Sequence, residues 1–406
     1  MSQNDAIGSI GDAAGDTSGG EPASAARPLG GITVVELGHS VAAPFAGQIL
    51  ADLGARVVKI ENPATGDDAR SWGPPFWNDA STIFQSVNRN KLSAAVNLKD
   101  PEQLAKLRSF IVCQADVVIQ NMRAGLVSQF GIGEELRAEN PRLIYCNLGA
   151  FGSSGPLVGK PGYDPLMQAF GGIMSVTGNP GEPPIRVGVS LIDQGSGMWS
   201  VIGIVSALYR RTFSGEGCTV DTSLFETALA WTNAQSASYN ATGKLPGRNG
   251  SENPGLVPYR VFEASDGYVM IAAGNDNLFR RLAGALGHPE WLEDERFKTN
   301  PRRVENRAFV NAAVQDIIAT RTAAEWIEIV EAAGVPIAPL QSMDEVINHP
   351  QTQALGIVQQ APESGMSLIG LPLRFNGERG PLRNAPPALG ADTAVILGDG
   401  ESAGND

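Results

Sequence analysis

Apolar and polar positions alternate along this chain in short, well-separated blocks. Residues 32–37 form a β-branched apolar run that predicts a strand, and residues 45–53 carry the longer spacing of a helix. Residues 56–61 predict a second strand, with Gly54 and Ala55 supplying the helix stop between them. Strand, helix and strand at this spacing make a βαβ unit, which implies parallel pairing and a right-handed crossover. The pattern continues with a helix over 102–113 and strands over 116–119 and 142–146. The first half therefore reads as a doubly wound α/β sheet.

Beyond it, residues 149–162 are dense in Gly, Ser and Pro, and residues 195–212 predict a long helix ending in Arg210 and Arg211. A further helix is expected after Asp221, then a Gly/Asn/Pro-rich loop over 243–258 and a strand over 268–273 following an Asp-Gly turn. Residues 275–335 are helical in pattern and more charged, which marks a second, smaller domain. The expected division is a disordered extension over 1–28, a large domain over 29–225 and a linker with the small domain over 226–335. Residues 336–406 are expected to return to the large domain and end in a frayed tail.

Composition narrows the function classes. A length of 406 residues suggests two or three domains, and 42% apolar with 18% charged residues is ordinary for a soluble globular protein. The formal charge of −13 argues against nucleic-acid binding, which needs a basic face. Three widely spaced cysteines fit neither a disulfide framework nor a zinc site and suit a reducing cytoplasm. The extension lacks the basic and apolar regions of a signal peptide. Residues 198–208 are the most apolar stretch and are too short to span a bilayer, so no membrane partner is expected.

Candidate chemistry is sparse. The turn after the first strand runs from Gly38 to Pro44 without G-x-G-x-x-G, which excludes a dinucleotide fingerprint, yet Val41 to Ala43 are small enough to admit a ligand to the backbone. His39, His288 and His349 are too scattered to form a metal motif, and no metal site is expected. Glu36, Glu61 and Asp193 lie beside apolar runs; salt-bridge or capping roles are expected for the first two, and an N-cap for Asp193. Asp164, in Gly162-Tyr163-Asp164-Pro165, has the strongest claim. A carboxylate held extended before proline, exposed and ionised at a helix start, suits nucleophilic attack on an activated acyl group.

At these residues the chain resembles the class III CoA-transferases. The resemblance runs from Leu29 to Pro386 through residues 50–61, 88–93 and 140–144, then Gly162-Tyr163-Asp164 and Gly334-Val335-Pro336. It implies an interlinked, ring-like homodimer whose subunits have a Rossmann-like large domain and a smaller α/β domain. It also implies that Asp164 attacks an acyl-CoA to give a mixed anhydride, then an aspartyl-CoA thioester, which an acceptor acid reverses. Coenzyme A is then a substrate, and no permanently bound cofactor is implied. The family's CoA contacts map to Val41 and Ala42, to Val96, Asn97, Leu98 and Lys99, and to Asn121, Met122 and Arg123. Asn62 and Gln129 stand where relatives often carry arginine, and Gly149 replaces the lysine of the formyl-CoA enzymes, which speaks against a formyl-CoA donor.

By family frequency the expected donor is succinyl-CoA and the acceptor a small dicarboxylate. The same fold houses α-methylacyl-CoA racemases, which resemble this chain at Asp193 but carry histidine where Tyr163 stands. A phenol is a poor base at neutral pH, so acyl transfer is favoured over proton exchange. A third alternative is an acyl-CoA-binding relative without activity, against which the intact Tyr163-Asp164 pair argues.

Overall fold

The computed structural model describes residues 27–362 and 364–398. Most of the extension expected over 1–28 and the tail expected to fray therefore lie outside the described residues.

The described chain divides into two compact units. The first comprises residues up to Leu148, Gly197–Asp221 and residues from Gln359 onward; the second comprises Gly149–Ser196 and Thr222–Val358. The segment from 149 to 196, grouped by sequence with the large domain, thus clusters with the smaller one.

In the first unit the strands are β1 (Thr33–Leu37), β2 (Arg56–Glu61), the short hairpin β3 (Phe76–Trp77) and β4 (Ala80–Ser81), β5 (Lys91–Ala95), β6 (Val117–Gln120), β7 (Ile144–Gly149) and β8 (Thr219–Ser223). Six of them make one sheet in the order β5-β2-β1-β6-β7-β8. The pairs β2–β5, β1–β2, β1–β6 and β6–β7 are parallel. The chain builds outward from β1 on one side, then returns to place β6 on its other side. The topological switch point, where ligands bind in open α/β sheets, therefore lies between the C-terminal ends of β1 and β6.

Helix α1 (Ala42–Asp52) links β1 to β2, α2 (Thr82–Ser86) precedes β5, and α3 (Pro101–Gln114) links β5 to β6. Helix α3 begins as its sequence dictates, with Asp100 accepting from the amides of Glu102 and Gln103 and Pro101 in the first turn. Val35, Leu37, Val58, Leu107, Ile111, Val118 and Tyr145 form the core of this unit. The C-terminal segment packs back on the β5 edge, where Asp392 accepts from Ser93 N at 2.8 Å.

Strand β5 has no apolar alternation because its inward side chains include Lys91 and Ser93, both buried. Their partners are buried carboxylates, so the strand reads as polar.

The second unit holds the short helices that follow α4 (Leu126–Gln129): α5 (Asp164–Phe170), α6 (Ile173–Val176) and the opening turn of α7 (Leu191–Ser214), then α8 (Leu224–Trp231). Its sheet is antiparallel, β9 (Tyr259–Glu263), β10 (Tyr268–Ala272) and β11 (Ile337–Pro339), with β10 in the centre. Phe262, Val269 and Ile271 of these strands form one core with Leu282, Val314, Ile318 and Trp326.

Helix α7, at 24 residues the longest element among the described residues, is long and apolar enough to cross a membrane by length and composition. The apolar run read over 198–208 is thus only the middle of a longer helix. Buried Val201, Ile204 and Leu208 fix one face of it, and Arg211 is anchored to Asp116 at 2.8 Å.

Candidate active site

Asp164 is the first residue of α5, and the extended residue is its neighbour Tyr163 (φ −133°, ψ 157°). Its side chain is not exposed, as the sequence suggested, but buried at 3%. Oδ1 accepts from Gln168 Nε2 at 2.6 Å. Oδ2 accepts from the backbone amides of Ile192 at 2.7 Å and Asp193 at 3.2 Å. Those amides belong to the first turn of α7, so Asp164 caps a helix 28 residues ahead of it in sequence. The positive end that steadies the anion is that of α7, not of the short helix Asp164 begins.

This tertiary cap explains a second departure. Helix α7 starts at Leu191, four residues before the expected position, and Asp193 lies inside its first turn instead of at the N-cap. Asp193 is half-buried, and burial together with the charge of Asp164 pushes its carboxyl up to about 7. Gln168 is itself fixed, since its Oε1 accepts from Val187 N at 2.8 Å. The i,i+4 spacing of Asp164 and Gln168 on one short helix is the mark this contact leaves in the sequence.

Tyr163 is 52% exposed and lies outside this hydrogen-bond set. In the glycine-rich loop of the same unit, Gly250 N donates to Gly178 O and Gly255 N to Asn253 Oδ1, both at 2.9 Å. These two amides are therefore already committed within the protein.

In the first unit the structure brings most of the other candidate residues to one end of the parallel sheet. Val41 is the N-cap of α1 and Ala42 its first residue. The first intrahelical bond is Phe45 N to Val41 O at 2.7 Å, which leaves the Ala42 and Ala43 amides without i−4 partners. Asn121, after β6, bridges the switch point, accepting from His39 N at 3.0 Å and donating to His39 O at 2.9 Å. Met122 lines a cleft with Leu37, Gly38, His39 and the β2 end.

Val96 to Lys99 leave the C-terminal end of β5. Val96 is buried, and Asn97 Oδ1 accepts from Lys99 N at 3.1 Å. The exposed side chains of Lys99 and Arg123 have no ion-pair or hydrogen-bond partner among the described residues. Asn62 also borders the cleft, with Oδ1 accepting from Ala64 N at 2.8 Å. Asp164 lies in the other compact unit.

Beneath the first turn lies a charge network that sequence reasoning identified only at Glu36 and Glu61. Glu36, fully buried, pairs with Lys59 at 2.9 Å and Lys91 at 2.7 Å. Lys59 also pairs with Asp67 at 2.7 Å. Glu61 is held by Arg70 at 2.8 Å and Ser93 at 2.6 Å. Burial alone would lower Lys59, but Glu36, Asp67 and Glu61 outweigh it and hold it above the usual lysine range. For Lys91 burial prevails and pushes the ammonium down to about 8.

The chain is similar to known proteins over nearly its whole length. The model of CoA-transferase family III matches residues 29–393. An acetyl-CoA:oxalate CoA-transferase of Acetobacter aceti is 40% identical over 92% of this chain and 96% of its own length. A succinate–glutarate CoA-transferase of Agrobacterium fabrum is 38% identical, with the same 92% and 96% coverage. The crystal structure of a CAIB/BAIF family protein from Brucella suis superposes with a TM-score of 0.84 at 38% identity, covering 92% of this chain and 99% of that one.

Proposed function

The chain belongs to CoA-transferase family III and is an enzyme that transfers CoA, and from that premise we propose that Asp164 is its nucleophile. One Asp164 oxygen attacks the thioester carbon of an acyl-CoA, the carbon–sulfur bond breaks, and CoA leaves as thiolate. The thiolate attacks the aspartyl carbonyl of the resulting anhydride, releasing the donor acid as its carboxylate. An acceptor carboxylate then takes the CoA from the aspartyl thioester by the reverse steps. Two smaller barriers replace one large one.

The observation that carries this reading is the environment of the Asp164 carboxylate. Oδ2, with two amide donors, is suited to remain the carbonyl oxygen of each acyl intermediate, polarised by the α7 amides. Oδ1, with the single Gln168 donor, is the freer oxygen for attack. The proposed CoA contacts are the amides and side chains around Val41 and Ala42, Val96 to Lys99, and Asn121 to Arg123. Lys99 and Arg123 serve as the phosphate cations. A small dicarboxylic acid as acceptor fits the named activities of both relatives, and succinyl-CoA as donor fits that of the succinate–glutarate enzyme, whereas the oxalate enzyme is named for acetyl-CoA.

The reading includes an interlinked homodimer. The row Met198, Ile202, Val205, Tyr209 and Phe213 along α7 is exposed in the single chain, and a second copy would cover it. A reducing, cytoplasmic setting is supported by three cysteines that stand as free thiols.

The function is tested by mass-spectrometric screening of free acids against succinyl-CoA and acetyl-CoA. Formation of the CoA ester of a small dicarboxylate from succinyl-CoA is expected. CoA binding without exchange across a broad panel would instead identify an inactive acyl-CoA-binding relative.

A pH prediction follows from Asp193. Its raised value means the folded protein holds a proton that the unfolded chain has lost between about pH 4 and 7. Stability therefore falls as pH rises through that window. Asp193→Asn removes this penalty, and denaturant titration should show it stabilised by ~1–2 kcal/mol at pH 8, after discounting for solvent screening, with little difference at pH 4.

A further inference from the structure

The turn from Gly38 to Pro44 is gripped from below at three points by one buried charge network. Lys59 Nζ donates to Gly38 O at 2.7 Å, and Lys91 Nζ donates to Pro44 O at 2.7 Å. Between them, Asp67 Oδ1 accepts from Ser40 N at 2.9 Å. Ser40 sits at φ 70°, a left-handed conformation that serine adopts rarely without an outside constraint.

The constraint is itself built in. Asp67 Oδ1 also accepts from Ala69 N at 2.9 Å, its other oxygen pairs with Lys59, and its backbone donates to Glu61 Oε1 at 3.0 Å. Helix α1 passes so close to the network that a Cβ on Gly47 would stand 2.0 Å from Glu36 Oε2.

Buried ion pairs are a poor means of adding stability, because desolvation offsets most of the attraction. What this network does specify is the path of one turn. Asp67 also lines the cleft beside Gly38, His39 and Met122, so the network ends at the ligand side of the sheet.

We propose that Asp67 is a positioning residue for acyl-CoA binding: by clamping Ser40 it presets the turn that directs the Ala42 and Ala43 amides toward the ligand. The identity of the ligand rests on the CoA-transferase reading; the clamp rests on the geometry alone. Preforming the turn removes an ordering cost from binding, so loss of the clamp weakens ground-state affinity more than the chemical step.

Three substitutions test it, with free CoA as the probe in calorimetric titration. Asp67→Ala removes the acceptor, and Asp67→Glu keeps the charge while displacing the acceptor. Each should weaken CoA binding by about 10-fold, with KM for acyl-CoA raised and kcat changed far less. Asp67→Asn, which keeps an acceptor oxygen for the Ser40 amide but turns its NH2 toward Lys59, should bind CoA more tightly than the alanine and glutamate variants.

Hydrogen exchange of the Ser40 amide without ligand should accelerate in the alanine and glutamate variants and stay slow in the asparagine variant. Should the alanine variant not fold, the glutamate and asparagine variants decide the matter. Wild-type affinity and Ser40 protection in Asp67→Glu, or an asparagine variant as weak as the others, would overturn the proposal. A wild-type protein that binds no CoA would count against the CoA-transferase reading, while Ser40 exchange would still judge the clamp.

Discussion

Asp164→Ala is expected to lower CoA exchange by about 10⁴-fold or more, the scale appropriate to deleting a covalent nucleophile. Gln168 and the Ile192 and Asp193 amides hold both carboxylate oxygens in one orientation within a buried site. A water molecule in the alanine variant can occupy that space, but it cannot carry the acyl group between two acids. Asp164→Asn keeps the shape and some of the hydrogen bonding, yet lacks the anion, so it should be comparably inactive. Exchange of labelled acid into an acyl-CoA measures both. Because Asp164 caps α7, the alanine variant should also lose roughly 1–2 kcal/mol of stability by denaturant titration, while Asp164→Asn should lose less.

Lys59→Met is expected to produce the largest loss of stability, about 3–5 kcal/mol by the midpoint of denaturant unfolding. Lys59 is fully buried and touches two carboxylates as well as Gly38 O. Methionine matches the stem in volume and removes the ammonium. Glu36 then keeps only Lys91, and Asp67 keeps only backbone donors on one oxygen. Adding Asp67→Asn to Lys59→Met removes one uncompensated charge, so the double variant should lose less than the sum of the two single losses. Strict additivity would show that the two groups do not interact.

Much of the scaffold was legible because ordinary forces built it. Strands β1 and β2 are β-branched apolar runs, α3 carries its own Asp-Pro start, and β10 follows a turn dipeptide. Strand β5 was not legible because Lys91 and Ser93 face inward, toward carboxylates supplied by β1 and β2. The start of α7 was misplaced for a related reason: its cap is a side chain from another helix. The same contact buries Asp164, which local sequence had suggested was exposed. Resemblance singled out Asp164 as a candidate, but only tertiary structure revealed what holds it. The clamp at Ser40 was equally hidden, since a serine at positive φ leaves no mark in a string of letters.

The central claim is that CoA and acyl groups pass through a covalent bond to Asp164. Its most direct test is to incubate the wild-type enzyme with succinyl-CoA, quench with hydroxylamine, and map the modified residue by peptide mass spectrometry. The account predicts a hydroxamate at Asp164, absent when acyl-CoA is omitted. An enzyme that exchanges CoA at full rate while Asp164 stays unmodified, and retains that rate as Asp164→Ala, would contradict it.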